Sequence, residues 1–332
     1  MGATYAKSGV DVRKIRSVQR KINRMIASTN TGATHPLLGH YAGLFHAGGN
    51  TYTLHCDGVG TKIMVAQEVG KHDTIGIDAV AMNVNDLICI GSKPTAAVDY
   101  IALERVDERL VLEIMKGLVK GCKESGVALV GGETAILPDM FAKEKGGRTA
   151  YDLSVTAAGL MEGKPITGEA MKAGDIVIGL ESSGVHSNGY SLARKIIPKS
   201  KYGELLTPTR IYVKPVMEMI KAAQVHGIAH ITGGAFSKLS RIGRHGNVGF
   251  LLDNMPKPSG IFADLAAKVR NDYELYRTFN MGVGMCIVVG KEDADAIFSI
   301  ARKYRIPAKT IGRIIAGNNV ILQKGGKRIS LR

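Results

Sequence analysis

Six consecutive residues, Asp57-Gly58-Val59-Gly60-Thr61-Lys62, combine a carboxylate, two glycines, a hydroxyl and an ammonium group. Groups of these kinds bind phosphate and metal ions in proteins. Gly58 and Gly60 would let backbone N–H groups approach phosphate oxygens without a Cβ in the way. The segment lacks the spacing of a Walker A loop. It therefore predicts either a phosphate and metal site or a plain tight turn after a strand.

A second polar group lies in a segment with helical periodicity, from Thr74 to Ile90. Its apolar residues form one face, and Asp78, Asn85 and Asp86 fall together on the other side. Two carboxylates and an amide one to two turns apart can converge on Mg²⁺, which prefers oxygen ligands. The alternative is a solvated helix face, but such faces usually carry Lys and Glu, which are missing here.

A third acidic group follows a short apolar strand pattern, at Gly131-Gly132-Glu133-Thr134. Taken alone, the glycine pair predicts an ordinary turn. Together with Asp57 and the carboxylates of the helix, Glu133 suggests one shared divalent cation that holds a polyphosphate. The candidate metal ligands are Asp57, Asp86 and Glu133.

The second half of the chain has its own polar segment, from Ser182 to Ser191, between a strand pattern and a helical pattern. His186 and Asn188 lie where a helix would begin, and free backbone N–H groups there favour phosphate. The alternative is N-capping by Ser187 or Asn188. A nucleophilic triad is disfavoured because the G-x-S-x-G elbow is missing.

Two further histidines, His226 and His230, bracket an apolar segment that ends in Thr232-Gly233-Gly234. Their spacing fits a metal pair on a helix, but Gly227 and the β-branched residues favour a strand. Alone, the pattern indicates structural histidines.

Strand patterns alternate with helical patterns in both halves, which predicts an α/β or α+β fold. A loop signal at Gly163, Pro165 and Gly168 divides the chain. We therefore expect one domain over 1–168 and a second over 169–332, since 332 residues are enough for two cores.

The net charge of +15 is partly concentrated near the N-terminus, in the segment from Arg13 to Arg24. Apolar residues interleave with these charges at helical spacing, which predicts an amphipathic helix, so nucleic-acid binding is disfavoured. The sequence contains no apolar segment long enough to predict a membrane span, and its N-terminus has no apolar signal region. We therefore expect a cytoplasmic protein. The four cysteines are far apart and predict buried, reduced thiols.

Seven segments in this order resemble the phosphoribosylformylglycinamidine cyclo-ligase family, also called the aminoimidazole ribonucleotide synthetases. The resemblance runs from about residue 5 to about residue 290 and is carried by residues 57–62, 72–78, 85–87, 131–135, 182–191, 208–214 and 276–280.

The resemblance implies a step of purine biosynthesis, in which ATP and formylglycinamidine ribonucleotide give aminoimidazole ribonucleotide, ADP and phosphate. The formyl oxygen would attack the γ-phosphate, and a substrate nitrogen would then close the ring and expel phosphate. Mg²⁺ and Lys62 would neutralise the triphosphate. His186 and Asn188 would face the substrate amide or the transferring phosphoryl group, and His230 is an acid/base candidate.

The resemblance also implies a two-domain synthetase fold and a homodimer. A small N-terminal sheet would pair with that of a second subunit to form a barrel, next to a larger C-terminal α/β domain. The nucleotide-binding residues implied are Lys7, Asp57, Gly58, Gly60, Thr61, Lys62, Asp78, Asp86, Gly131, Gly132, Glu133, Thr134, Thr232, Gly233 and Gly234. Lys7 belongs to a segment expected to fold over ATP.

The sequence departs from the family pattern at residues 36–44 and at Ala235, which replaces a third glycine. These changes affect expected substrate contacts more than the ATP site. Two alternatives stay open: another ATP-dependent enzyme of the superfamily, such as a selenophosphate synthase or a thiamine monophosphate kinase, and a basic nucleic-acid-binding protein. The first would share the acidic clusters, whereas the second leaves them unexplained.

Overall fold

The computed structural model describes residues 12–34, 40–141 and 147–331. In this part of the chain the strands form two separate mixed sheets, each flanked by helices. The helices are α1 (Val12–Ala27), α2 (Ile63–Val69), α3 (Ile75–Ile88), α4 (Glu108–Ser125), α5 (Tyr190–Ile196), α6 (Tyr202–Leu205), α7 (Val213–Ala222), α8 (Leu239–Gly246), α9 (Ile261–Val269), α10 (Asp272–Thr278) and α11 (Ala294–Lys303).

The first sheet has five strands in the order β1-β2-β5-β3-β4. All neighbours are antiparallel except β3 and β4, which are parallel and are joined through α4. Its strands are β1 (Gly43–Ala47), β2 (Asn50–Gly58), β3 (Ser92–Leu103), β4 (Ala128–Ile136) and β5 (Tyr151–Met161). The predicted strand before Asp57 is thus confirmed, and Asp57 lies near its end.

The second sheet has seven strands in the order β12-β11-β8-β10-β6-β9-β7. Its central strands read as continuous apolar runs because helices cover both faces, and all seven residues of β9 are buried. Its strands are β6 (Ile176–Glu181), β7 (Val225–His230), β8 (Val248–Leu252), β9 (Val283–Val289), β10 (Ala308–Ala316), β11 (Val320–Lys324) and β12 (Lys327–Ser330). The mixed α/β class is confirmed, whereas the domain boundary at residue 168 stays a prediction.

Helix α3 is the element on which the two halves meet. All 14 of its residues are buried, including Asp78, Asn85 and Asp86. The alternative of a solvated helix face is therefore wrong, because the C-terminal half covers the polar side. Polar side chains buried on this helix must find partners in that half.

The contact between α3 and α4 depends on glycine. A Cβ on Gly76 would lie 2.2 Å from the backbone nitrogen of Leu118, and one on Gly117 would lie 2.3 Å from the carbonyl oxygen of Asp73. Either methyl group would force the two helices apart. These glycines let α4 pack closely on α3.

Gly131 and Gly132 lie inside β4, so the ordinary turn that the pair predicts when taken alone is not formed. The strand continues through Glu133 and Thr134 because it pairs in parallel with β3 as far as Ile136. A Cβ on Gly132 would lie 2.3 Å from Oδ1 of Asp99. Gly132 is required by this close approach of the neighbouring strand.

Several smaller expectations have clear outcomes. His226 and His230 lie on β7, which confirms the strand assignment. Cys56 is exposed on β2, so the expectation of four buried thiols is wrong for that residue, while Cys89, Cys122 and Cys286 are buried and free. Throughout residues 12–34, 40–141 and 147–331, no helix combines the length and apolar character needed to cross a membrane.

Candidate active site

Asp86 connects the two sheets. Its Oδ1 accepts a 2.7 Å hydrogen bond from Nδ1 of His230 on β7, and its Oδ2 lies 3.4 Å from Nε2 of His55 on β2. Burial would raise the pKa of Asp86, but the hydrogen bond from His230 and the charge of Lys238 lower it to about 2. Asp86 is therefore ionised at neutral pH and holds a histidine from each half of the chain.

The carboxylate fixes the protonation of His230. Because Asp86 can only accept, Nδ1 of His230 carries the proton and Nε2 is left as an acceptor. Nδ2 of Asn85 lies 3.5 Å from this Nε2. Burial lowers the pKa of His230, while the hydrogen bond and charge of Asp86 oppose the shift. A neutral ring with an acceptor Nε2 is suited to receive a proton.

His186 and Asn188 lie in the turn between β6 and α5. Nε2 of His186 accepts a 3.3 Å hydrogen bond from the backbone N–H of Ser183, so Nδ1 carries the proton of the neutral ring. Burial lowers the pKa of His186 well below its ordinary value, and the charges of His230 and Lys62 lower it further. Among the described residues, neither Nδ1 of His186 nor Nδ2 of Asn188 has a hydrogen-bond partner. Two unpaired buried donors in one turn are suited to an oxygen atom of a ligand.

Two glycines allow the side chains of this turn to pack closely against neighbouring segments. A Cβ on Gly284 would lie 2.5 Å from Cε1 of His186, and one on Gly233 would lie 2.8 Å from Oδ1 of Asn188. The ring centroids of His186 and His230 are 6.3 Å apart. The structure thus brings together three of the four predicted catalytic residues.

Lys62, the fourth, is fully buried rather than open to a phosphate. Its Nζ donates to Oδ1 of Asp78 at 2.9 Å and to the carbonyl oxygen of Thr207 at 2.7 Å. Burial lowers the pKa of Lys62, and Asp78 opposes the shift. The phosphate-binding roles of Lys62 and Asp78 stay predictions, since this ion pair occupies both side chains.

Asp78 also ties the pair to the second half of the chain. Its Oδ1 accepts hydrogen bonds from the backbone N–H of Thr209 at 2.7 Å, from the Thr209 hydroxyl at 2.6 Å and from the Ser187 hydroxyl at 3.1 Å. Ser187 stands between His186 and Asn188. The buried ion pair therefore positions the turn that carries the two unpaired donors.

The predicted metal ligands do not converge within one chain. Gly58 pairs with Ser154, Ser154 with Tyr100, and Tyr100 with Glu133, which places Glu133 three strands from the end of β2. Three strand spacings are roughly 14 Å, whereas two oxygen ligands of one cation lie within about 5 Å of each other. In the described part of the chain, no group of three or more His, Cys, Asp or Glu side chains is arranged to hold a metal ion.

Both carboxylates stand at exposed positions. Oδ1 of Asp57 accepts the 2.8 Å hydrogen bond of the Gly58 N–H, and Oε1 of Glu133 accepts that of the Thr134 N–H, also at 2.8 Å. Each carboxylate keeps a second oxygen for a ligand. Their roles as metal ligands stay predictions.

The remaining predicted binding residues lie in the 3-10 helix that follows β2 (Gly60–Lys62) and in the turn after β7. Gly60 has a φ of 68°, and the hydroxyl of Thr61 lies 3.3 Å from that of Ser191, across the two halves. Gly234 has a φ of 85°, and the Thr232 hydroxyl accepts a hydrogen bond from Lys238. Lys7 and part of the divergent segment, 36–39, lie outside the described residues.

The chain matches the models of the AIR synthase related proteins, the N-terminal domain over residues 39–161 and the C-terminal domain over residues 172–325. A relative from Methanocaldococcus jannaschii, named phosphoribosylformylglycinamidine cyclo-ligase, is 46% identical over 94% of this chain and 92% of its own length. A relative of the same name from Pyrococcus furiosus is 47% identical over 91% of this chain and 92% of its own length. The chain belongs to the phosphoribosylformylglycinamidine cyclo-ligase family.

This membership confirms the family and the ligase class that the seven segments predicted. The fold is shared more widely. The solved structure of the hydrogenase maturation protein HypE in complex with ATP matches with a TM-score of 0.65 and 16% identity, over 90% of each chain. At that identity the likeness shows the fold alone.

Several residues of this candidate site were missed from the sequence. His55 contacts Asp86, and it precedes Asp57 by two residues on β2, so the strand period could have placed both on one side. Thr209 lies in the family-like segment 208–214, but its contact with Asp78 joins residues far apart in the chain, and the contact of Lys238 with Thr232 had no signal in the sequence.

Proposed function

We propose that the chain catalyses the ATP-dependent cyclisation of formylglycinamidine ribonucleotide to aminoimidazole ribonucleotide, ADP and phosphate. Family membership supports the reaction. The observation that carries the site is the pair of unpaired buried donors, Nδ1 of His186 and Nδ2 of Asn188, next to a neutral His230.

The first step transfers the γ-phosphoryl group of ATP to the formyl oxygen of the substrate, and ADP leaves. Such a transfer depends mainly on positioning and charge stabilisation. Donors from His186 and Asn188 would bind the substrate amide or an oxygen of the transferring group without carrying a charge themselves. Prearranged donors of this kind lower a barrier by several kcal/mol in a water-excluded site.

In the second step a substrate nitrogen attacks the activated formyl carbon, and the C–O bond to phosphate breaks. The nitrogen must lose a proton as the five-membered ring forms. Nε2 of His230 is an acceptor when Asp86 binds Nδ1, and its only described contact is the 3.5 Å one with Nδ2 of Asn85, so His230 is our candidate for receiving the proton.

Mg²⁺ is the cation expected to accompany ATP, and it would shield the charge of the triphosphate. The donor set fits at Asp57, whose exposed carboxylate has one oxygen outside the Gly58 contact. Asp86 already binds two histidines, and Glu133 is too far from Asp57 to share an ion within the same chain. We assign the ion to Asp57, with Glu133 acting at a second position.

We also propose that the protein is a homodimer that pairs through its first sheet, with a barrel formed across the interface. The exposed face of that sheet carries Leu54, Val98 and Tyr100, each at least 40% exposed, and Val130 lies at its edge, 66% exposed. A large apolar sheet face open to water indicates a protein interface. The cytoplasmic location remains a prediction.

The test is release of phosphate from Mg·ATP by the purified protein, with and without formylglycinamidine ribonucleotide, together with detection of the aminoimidazole product. We expect phosphate and product in equal amounts, and only with the substrate. Asp57→Asn should reduce turnover by at least a hundredfold. Asp152→Asn is the matched control, because Asp152 is an exposed strand carboxylate that likewise accepts the N–H of the next residue.

ATP turnover without the aminoimidazole product would contradict this proposal and favour another phosphoryl acceptor within the superfamily, such as thiamine monophosphate. Binding of polynucleotide with a steep salt dependence, and no turnover, would favour the nucleic-acid alternative.

A further inference from the structure

A cluster of cations lies beside Asp86 and outside the catalytic turn. Lys238 is the last residue of the 3-10 helix Ala235–Lys238, and Arg241 lies three residues further on, in α8. Residues three apart on a helix lie on the same face. Arg241 Cζ lies 4.8 Å, and Lys238 Nζ 5.9 Å, from the ring centroid of Tyr41.

The two cations have no direct carboxylate partner among the described residues. In the described part of the chain, neither Lys238 nor Arg241 forms an ion pair with a carboxylate. The charges of Asp86 and Asp57 act on Lys238 from a distance, and the two oxygens of Asp86 face His230 and His55. Two like charges above one aromatic ring repel each other unless an anion joins them.

Two polar atoms next to these cations are buried and unsatisfied. The hydroxyl group of Tyr41 and Nδ1 of His40 have no hydrogen-bond partner among the described residues, and the two side chains belong to residues only 2% and 8% exposed. Nε2 of His40 lies 3.3 Å from the carbonyl oxygen of Thr167. The unpaired Tyr41 hydroxyl marks a place where a ligand can accept a hydrogen bond, whereas Nδ1 of His40 is left as an acceptor because Nε2 donates to the Thr167 carbonyl.

We propose that Lys238, Arg241 and Tyr41 form a subsite for the phosphate monoester of the ribonucleotide substrate. The proposal rests on the cyclo-ligase function and adds to it the residues that recognise the end of the substrate remote from the formyl group. A phosphate monoester carries a charge of about −1.5 to −2 at neutral pH and has three acceptor oxygens. Two cations and a hydroxyl match that charge and that number of acceptors.

The chemistry of the cluster favours the monoester over the triphosphate of ATP. A triphosphate is accompanied by a divalent cation, which needs carboxylate oxygens such as those of Asp57 and Glu133. A monoester has no metal ion to neutralise it and needs protein cations instead. Lys238 and Arg241 supply those cations through side chains that no described carboxylate occupies.

Steady-state kinetics of Arg241→Met and Arg244→Met test the subsite. Arg244 is a matched control because it lies on the same helix, is exposed, and bonds only the carbonyl oxygen of Ser240 among the described residues. We expect Arg241→Met to raise the KM for formylglycinamidine ribonucleotide by about tenfold to a hundredfold, as for the loss of a charged hydrogen bond. The KM for ATP should not change, and Arg244→Met should behave as the wild type.

Binding of ribose 5-phosphate, measured by calorimetry, tests the subsite without turnover. The wild-type protein should bind this probe, and the probe should compete with the ribonucleotide and not with ATP. Arg241→Met should lose most of this affinity. If the wild type makes no aminoimidazole but binds ribose 5-phosphate through Arg241, the proposed function fails and the subsite stands.

Tyr41→Phe separates a binding role from a structural one. Removing a buried hydroxyl that has no partner should leave the melting temperature of the free protein unchanged or raise it. The same change should weaken ribose 5-phosphate binding several-fold, because the phosphate loses a donor. The subsite is overturned if Arg241→Met and Arg244→Met have equal KM values for the ribonucleotide, or if Arg241→Met raises the KM for ATP instead.

Discussion

At the residue scale, the Lys62–Asp78 pair shows how a charged motif can serve the fold. Both side chains are fully buried, with Nζ of Lys62 2.8 Å from Oδ2 of Asp78. Asp78→Asn would leave a buried ammonium without its counter-charge. We expect the free energy of unfolding to fall by about 3–5 kcal/mol, measured by urea denaturation.

The double variant Lys62→Met/Asp78→Asn is the informative comparison. It removes both charges, so it should be more stable than Asp78→Asn alone, because no unpaired buried ion remains. A double variant less stable than Asp78→Asn would contradict a mainly electrostatic role for the pair. The hydrogen bonds from Thr209 and Ser187 would then dominate.

Burial of His40 should make the free energy of unfolding depend on pH. Burial lowers its pKa to about 4, with the Thr167 carbonyl opposing and His245 and Arg241 adding to the shift. Below the ordinary value of 6.5 the unfolded chain binds a proton that the folded chain does not. The contribution of neutral His40 to the free energy of unfolding is therefore complete above pH 6.5 and is lost as the pH falls from 6.5 to about 4.

The measurement is the free energy of unfolding of the wild type and of His40→Gln between pH 7 and pH 4.5. The wild type should lose about 2–3 kcal/mol more than the variant over this range. Asp86, with its pKa of about 2, titrates below the window and does not interfere. Parallel pH curves for the two proteins would show that His40 is not held neutral by the fold.

The residue types of the site could be predicted from the sequence, but their partners could not. Asp57, His186 and His230 stood out by their neighbours along the chain. The hydrogen bond between His230 and Asp86 joins residues 144 positions apart, and that between Thr209 and Asp78 joins residues 131 apart. Such pairs depend on how two sheets meet, which local patterns do not specify.

At the element scale, the glycines of α3 and α4 control how closely the helices pack. Alanine is normally better than glycine in a helix by about 1 kcal/mol. In Gly117→Ala the new methyl group would lie 2.3 Å from the carbonyl oxygen of Asp73, and the clash should outweigh that gain. We expect a net destabilisation of about 1–3 kcal/mol by urea denaturation.

Gly203→Ala is the control for this change. Gly203 lies in α6, and a Cβ there would have no atom within 4 Å. Alanine should be neutral or slightly stabilising at that position. If Gly117→Ala were equally well tolerated, the close approach of α3 and α4 would not be needed for stability.

The element pattern also explains which predictions failed. Strands and helices with a clear period, such as β2, β7 and α3, lie where the sequence placed them. The glycine pair in β4 was misassigned because glycine signals both a turn and a close approach between strands. The Asp99 side chain that requires Gly132 comes from another strand, so the choice depends on pairing.

At the scale of the whole molecule, the two faces of the first sheet differ in how well they are covered. Helix α3 covers one side, while the opposite side leaves Leu54, Val98 and Tyr100 in solvent. An apolar face of this kind on a chain with a net charge of +15 indicates a protein interface. In the proposed dimer, a second copy of the same sheet would provide a matching apolar surface, as expected for a two-fold interface.

Val98→Asp tests this pairing, because it places a charge in the middle of the apolar face. Light scattering with size-exclusion chromatography should give twice the 35.4 kDa chain mass for the wild type and a single chain mass for the variant. Val106→Asp is the control, since Val106 is 76% exposed in the loop after β3 and lies outside the strands of the sheet. A variant Val98→Asp that remains a dimer would show that the subunits meet elsewhere, and a wild-type monomer would remove the dimer altogether. If the monomeric variant also loses turnover while keeping its melting temperature, the second subunit contributes to the active site, and the wide separation of Asp57 and Glu133 within one chain has its explanation.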